Sequence, residues 1–195
     1  MSWSLRLISV NGIPVRIHVT FLLVVIWAAY SGFVAGRADR VQGVVFMVAL
    51  VLLLFFCVLL HELGHSLAAQ LFGIHVTEIT LWPLGGLAHI AGMPKRPYQE
   101  FIMTAAGPAT NILVALLLSL VAAAWLGPDG LLTLAASPWL LRVLMSSVSA
   151  EALLLTLIAN NVLLAVFNLI PAFPLDGGRM LRAMLAAVLP QPPGP

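Results

Sequence analysis

The chain has 195 residues, of which 62% are hydrophobic and 8% are charged, and its net charge is +2. Soluble globular domains carry about 25% charged residues, so this composition excludes that class and indicates one membrane-embedded domain over residues 1–195. The small net charge and the lack of a basic tract argue against a nucleic-acid partner. The single cysteine, Cys57, excludes an intrachain disulfide and a cysteine-based metal site.

The N-terminal stretch predicts a β-hairpin followed by a first membrane helix. Asn11-Gly12 separates two apolar, β-branched runs at residues 5–10 and 13–19, which is a strong hairpin signal. Residues 20–34 are apolar, with aromatic side chains toward the far end, as expected for a helix that reaches the membrane interface.

Residues 44–72 form a long apolar run that predicts a second membrane helix, and this helix carries candidate catalytic residues. Its second half reads His61-Glu62-Leu63-Gly64-His65. A helical turn of 3.6 residues places the two histidines on one face, where neutral imidazoles can share one zinc ion. Glu62 can then act as the base toward the attacking water. The alternative is that these five residues simply mark the end of the helix where it leaves the membrane. However, an ionisable side chain costs about 2.5 kcal/mol or more near the bilayer centre, so such residues within a span usually have a function.

Residues 75–91 favour strand and predict a second hairpin, with a turn at residues 83–86. Irregular backbone at membrane depth is tolerated where it lines a cavity. The free edge of this hairpin could bind an extended peptide by strand addition. The alternative is an ordinary surface hairpin. We interpret His18, His75 and His89 as local hydrogen-bonding groups and not as metal ligands.

Residues 101–126 predict a third helix, interrupted early by Gly107-Pro108. Asn111 follows, and an amide at this depth is costly unless it has a partner. Residues 131–141 are apolar but too short to span a bilayer, so they predict an interfacial or re-entrant helix.

Residues 150–170 predict a fourth helix, and the prolines and glycines of residues 171–178 predict that it is broken before a short helical tail at residues 180–189. A catalytic zinc site with two histidines needs a third protein ligand and an open position. Asp176 in the broken segment is the candidate, and Glu151 at the start of the fourth helix is the alternative. With four spans, Asp176 shares a membrane half with His61, whereas Glu151 lies in the other.

The predicted architecture is therefore an α-helical polytopic membrane protein with about four transmembrane helices. Short β-hairpins lie at the membrane edge and next to the active site. Lysines and arginines are more numerous on the side of the N-terminus, so the positive-inside rule places the N-terminus and the active-site half toward the cytoplasm. The cell membrane is the expected location.

Three ordered motifs together resemble the site-2 protease family of intramembrane zinc metalloproteases. They are HELGH, the Gly-Pro-Ala-Thr-Asn run at residues 107–111, and the Asn-Leu-Ile-Pro-Ala-Phe-Pro-Leu-Asp-Gly-Gly-Arg run at residues 168–179. The resemblance covers roughly residues 13–189. It implies a zinc metalloendopeptidase with one Zn²⁺ per chain that cleaves transmembrane segments of membrane-protein substrates in the lipid bilayer.

The resemblance also implies six site residues. They are the zinc ligands His61, His65 and Asp176, the catalytic base Glu62, and Asn111 and Asn168 for substrate binding or transition-state support.

Two features of the family are not found in the sequence. It contains no PDZ-type module, and it lacks the further helices and C-terminal CBS domains of the subgroup that its motifs resemble most. The chain is then a minimal core or a truncated one, and regulatory domains or subunits would lie outside it. The alternative functions are a non-catalytic zinc-binding membrane scaffold, a metal transporter, or a prenyl-protein peptidase.

Overall fold

The computed structural model describes residues 3–35, 39–92, 94–127 and 148–189. In chain order the elements are β1 (Ser4–Val10), β2 (Ile13–His18), α1 (Phe21–Ala35), α2 (Arg40–Leu71), β3 (Val76–Trp82), β4 (Gly85–Ile90), α3 (Pro97–Leu126), α4 (Ala150–Asn168) and α5 (Asp176–Val188). The helix predicted at residues 131–141 lies outside the described residues.

Three of the described helices are long and apolar enough to cross a membrane. They are α2, α3 and α4, with 32, 30 and 19 residues. Helix α1 is apolar but has 15 residues, slightly fewer than the roughly 17 that a span needs. Many large apolar side chains of these helices are exposed, which suits a surface that faces hydrocarbon. The protein is thus a mostly helical membrane protein with a small sheet, as predicted.

The two predicted hairpins are present, but they are joined in one four-stranded sheet in the order β1-β2-β3-β4. Asn11 and Gly12 have φ angles of 48° and 81°, which is the backbone that a tight two-residue hairpin turn requires. Strands β2 and β3 pair in parallel, so α1 and α2 form the connection between them. Strand β4 lies at the end of this order, and no strand of the described residues pairs with its outer edge.

The apolar face of the sheet packs against the second half of α2. The buried residues that form this core come from both strand pairs, from α2 and from α3: Ile13, Leu63, Ala68, Ala69, Val76, Ile79 and Met103. This packing holds the sheet next to the half of α2 that carries His61, Glu62 and His65. The core therefore fixes the position of β4 relative to these three side chains.

Helix α2 starts earlier than predicted, at Arg40, because Asp39 caps it. The Asp39 carboxylate accepts a hydrogen bond from the Gln42 backbone N–H at 3.0 Å. An aspartate at this position satisfies one of the free N–H groups of the first turn.

Helix α3 also departs from prediction, because it starts at Pro97 and continues through Gly107-Pro108 without a break. The expected interruption is therefore wrong. A proline inside a helix removes one backbone hydrogen bond, and in a membrane helix neighbouring helices compensate for it. Pro108 is buried in this packing.

Helix α5 starts at Asp176, four residues before the predicted tail. Gly177 and Gly178 are helical here, although glycine weakens the sequence signal for a helix. A Cβ atom on Gly177 would overlap the carbonyl oxygens of Leu169 and Ile170. The glycines therefore allow the broken segment to fold tightly against the start of α5.

Candidate active site

Two histidines of α2 and the first residue of α5 bring three potential metal ligands to one point. The Nε2 atoms of His61 and His65 are 3.1 Å apart. The Oδ2 atom of Asp176 lies 3.2 Å from each of them. The three side chains are only 10–12% exposed, and 111 residues of sequence separate His65 from Asp176.

The spacing of these atoms fits a tetrahedral metal. Ligand atoms about 2.1 Å from a zinc ion lie about 3.4 Å apart at the corners of a tetrahedron. The observed separations of 3.1–3.2 Å are close to that value. Within the described residues, this is the only group of three or more His, Cys, Asp or Glu side chains that could hold an ion.

The electrostatics of the cluster also suit a cation. Nδ1 of His65 lies 2.7 Å from the Met103 carbonyl oxygen, to which it can only donate, so Nε2 is left with its lone pair toward the cluster. The Asp176 carboxylate lies within 3.2 Å of both Nε2 atoms, and one carboxylate with two neutral imidazoles is a ligand set that zinc accepts.

Gly107 brings the backbone of α3 directly against the two imidazoles. A Cβ atom at this position would overlap Nε2 and Cε1 of His65 and would lie 2.8 Å from Cε1 of His61. The Gly107-Pro108 pair that suggested a helix break therefore allows a close approach instead. Sequence reasoning missed this role, although a glycine in an apolar helix is a signal for close packing.

Gly86 has the corresponding role for Glu62. A Cβ atom on Gly86 would overlap Cγ of Glu62 and would lie 3.4 Å from its Oε1. The backbone of β4 therefore packs on the half-buried Glu62 side chain. This contact places β4, the end strand of the sheet, beside Glu62, and it was not identified from the sequence beyond the expected nearness of the hairpin.

The two asparagines predicted for substrate binding differ in their surroundings. Asn111 is fully buried, and neither side-chain polar atom has a hydrogen-bond partner within the described part of the chain. It lies one helical turn beyond Gly107, on the same face of α3. Asn168 is half-buried at the end of α4, and its amide donates to the Leu164 carbonyl at 3.0 Å. Among the described residues, neither asparagine hydrogen-bonds to the cluster.

Other predicted candidates lie apart from the three ligand atoms. Glu151 lies in the first turn of α4, and 17 helical residues at about 1.5 Å each separate it from the end that leads to Asp176. His18 stacks on the Trp82 ring at 4.0 Å and hydrogen-bonds Thr20 at 2.7 Å. His89 lies 4.0 Å from the Glu78 carboxylate.

Comparisons with known proteins agree with this arrangement. Peptidase family M50 matches residues 49–195. The zinc metalloprotease MJ0392 of Methanocaldococcus jannaschii is 34% identical over 95% of this chain and 47% of its own length. The protein sll0528 of Synechocystis is 33% identical over 95% of this chain and 45% of its own length. The chain thus spans less than half the length of these two curated relatives.

A solved structure shares the fold. The site-2 protease from Methanocaldococcus jannaschii is 31% identical, with a TM-score of 0.59 over 95% of this chain and 73% of that chain. At this identity and coverage, the similarity extends to the region that contains the cluster. The chain therefore belongs to peptidase family M50, the site-2 protease family of membrane zinc metalloproteases.

Proposed function

We propose that this protein is an intramembrane zinc metalloprotease that cleaves transmembrane segments of membrane-protein substrates. The observation that carries the proposal is the convergence of three buried ligand atoms beside Glu62 on a membrane-spanning helix. A transporter would need further ligands along a path through the membrane. A non-catalytic zinc scaffold would not need an unligated glutamate beside the metal.

His61, His65 and Asp176 would hold one Zn²⁺ per chain. When bound, zinc polarises a substrate carbonyl and lowers the pKa of a water ligand toward about 7. Glu62 accepts a proton from the attacking water and later donates it to the leaving amine. Its carboxylate follows His61 directly in the sequence and packs against Gly86, so it lies next to the metal ligands without being one.

The substrate must be extended at the cleavage point, because a helical peptide bond is shielded by its own turn. The free edge of β4 offers backbone groups that can pair with such a segment, and Gly86 on this strand lies against Glu62. We propose that the substrate strand pairs with this edge and so passes the cluster.

Asn111 and Asn168 are proposed to contact the substrate. A fully buried amide without a hydrogen-bond partner costs about 1–3 kcal/mol. Asn111 has no such partner within the described residues, and a bound substrate could supply one, which supports a role for Asn111 in substrate binding. Its amide could donate to the oxygen on which charge develops. The side-chain nitrogen of Asn168 donates to the Leu164 carbonyl, so its side-chain oxygen takes no part in that bond and could accept a hydrogen bond from a substrate N–H.

The N-terminus and the half of the membrane that contains the active site are proposed to face the cytoplasm.

The test is the variant Glu62→Gln in the full chain, purified and loaded with zinc. Loss of the general base should lower cleavage of a model transmembrane substrate by about 10²–10⁴-fold, while zinc content stays at one per chain. Glu151→Gln, on the far end of α4, is the matched control and should keep both. Retained cleavage in Glu62→Gln would reject the mechanism, and loss of zinc would assign Glu62 as a ligand.

A further inference from the structure

A cavity of about 470 Å³ lies beside the cluster, between β4, the start of α3 and α5. It is lined by two residues of β4, two of the loop that follows, two of α3 and two of α5: Ala88, Ile90, Gly92, Pro94, Glu100, Met103, Arg179 and Arg182. Its volume is that of a site for a small group. Met103 also supplies the carbonyl that binds His65, so the cavity adjoins the metal-ligand pair.

The charged side chains of this cavity leave a net positive charge. Arg182 pairs with Glu100, whose side chain is only 14% exposed, so these two charges cancel. Arg179 is half-buried, one turn after Asp176, and within the described residues it has no ion-pair or hydrogen-bond partner. A half-buried guanidinium without a partner favours an anionic ligand, and its planar donor groups match a carboxylate.

The cavity also lies along the path of a peptide paired with β4. Side chains of a strand alternate between its two faces, so Gly86, Ala88 and Ile90 share one face. Gly86 contacts Glu62, whereas Ala88 and Ile90 line the cavity. At about 3.3 Å per residue, these positions lie about 7 and 13 Å beyond Gly86.

We propose that this cavity is a substrate subsite for an acidic side chain, and that Arg179 is the residue that determines this specificity. The acidic residue lies two or four positions from the substrate residue that faces Gly86, on one side of the scissile bond. The inference rests on the proposed function, because it takes the substrate as an extended peptide on β4. The apolar walls and the neutral Glu100–Arg182 pair leave Arg179 as the only uncompensated charge among the described lining residues.

The experiment compares zinc-loaded full chains on one model transmembrane substrate. Glu, Gln or Lys replaces each residue up to four positions on either side of the scissile bond, and kcat/KM is measured. Glu at position two or four on one side should be cleaved roughly tenfold faster than Gln there, since hydrogen bonds to charged groups are strong. Lys should be cleaved more slowly than Gln.

Variants of Arg179 assign the preference to this side chain. Arg179→Gln should bring the ratio of Glu-substrate to Gln-substrate cleavage to about one, whereas Arg179→Lys should keep part of the preference because the charge remains. Lys95→Gln removes an exposed positive charge near the cavity and should change nothing. A preference that survives Arg179→Gln, or falls equally in Lys95→Gln, overturns the subsite.

Binding to the Glu62→Gln chain separates this inference from the proposed function. Photocrosslinking should show that this inactive chain binds the Glu substrate more tightly than the Gln substrate. Adding Arg179→Gln to the same chain should abolish this difference in affinity. Cleavage by the wild-type chain without any charge preference would overturn the subsite alone. No cleavage of any substrate by the zinc-loaded wild-type chain would reject the protease and the subsite together.

Discussion

At the residue scale, Gly107 matters because it has no side chain. Its backbone lies against the imidazoles of His61 and His65, and a Cβ atom there would overlap the ring of His65. The rings fill the space that a side chain would need. Their orientation toward Asp176 therefore depends on the absence of one methyl group on the neighbouring helix.

Gly107→Ala should lower zinc affinity and cleavage by about tenfold or more, because overpacking a tight contact costs about 1–3 kcal/mol. Helix propensity alone predicts the opposite sign, since alanine stabilises a helix interior by about 1 kcal/mol relative to glycine. Zinc content, cleavage and the thermal midpoint measure the outcome. Ala109→Val adds bulk to an exposed position of the same helix and should change none of them. Normal zinc affinity in Gly107→Ala would show that the rings can move aside.

The sequence predicts the residues of the cluster better than it predicts the neighbouring residues that hold their side chains in place. The spacing of His61 and His65 follows from the helical period, and the family motifs add Asp176. Met103 and Gly86 have no such signal, because one acts through its backbone carbonyl and the other through a missing side chain. Both roles become visible only when distant elements are packed together.

At the element scale, the same limit applies to the sheet. The turn residues of each hairpin were recognisable, since tight turns have a local chemistry. The parallel pairing of β2 with β3 was not, because α1 and α2 separate the two strands and parallel pairs carry no turn signal. This pairing makes β4 the edge strand next to Glu62. The proposed substrate site is therefore a consequence of a non-local contact.

The edge of β4 yields a test by proline substitution. Proline removes a backbone N–H, and successive N–H groups of a strand point alternately to β3 and to the free edge. Proline should therefore be placed singly at Leu87, Ala88 and His89. Where the lost N–H faces the free edge, cleavage should fall about tenfold or more with zinc content unchanged, since the proposed zinc ligands lie on α2 and α5.

Side-chain changes on the same hairpin provide the control. Thr80→Ala should alter cleavage only slightly, because strand addition takes most of its affinity from main-chain hydrogen bonds. A proline that disrupts pairing with β3 should instead lower the thermal midpoint. Full cleavage with proline at all three positions would exclude strand addition on β4.

At the scale of the whole molecule, the cluster joins parts of the chain that are far apart in sequence. His61 and His65 lie on α2, which carries the sheet, and Asp176 begins α5, which packs on α3. An ion held by all three side chains would act as a crosslink between these two units. It would stabilise the folded chain in proportion to its affinity, because binding to the native state alone shifts the unfolding equilibrium.

Removal of zinc should therefore destabilise the whole chain. At a free zinc concentration 100 times the Kd, the linkage contributes about 2.7 kcal/mol, which corresponds to a thermal midpoint higher by roughly 5–10 °C for a chain of this size. A chelator should abolish this shift. Asp176→Ala should start near the chelated value and respond little to zinc, whereas Glu151→Ala, at the far end of α4, should behave like wild type. A full zinc-dependent shift in Asp176→Ala would reject this carboxylate as the third ligand, since the two histidines would then hold the metal without it.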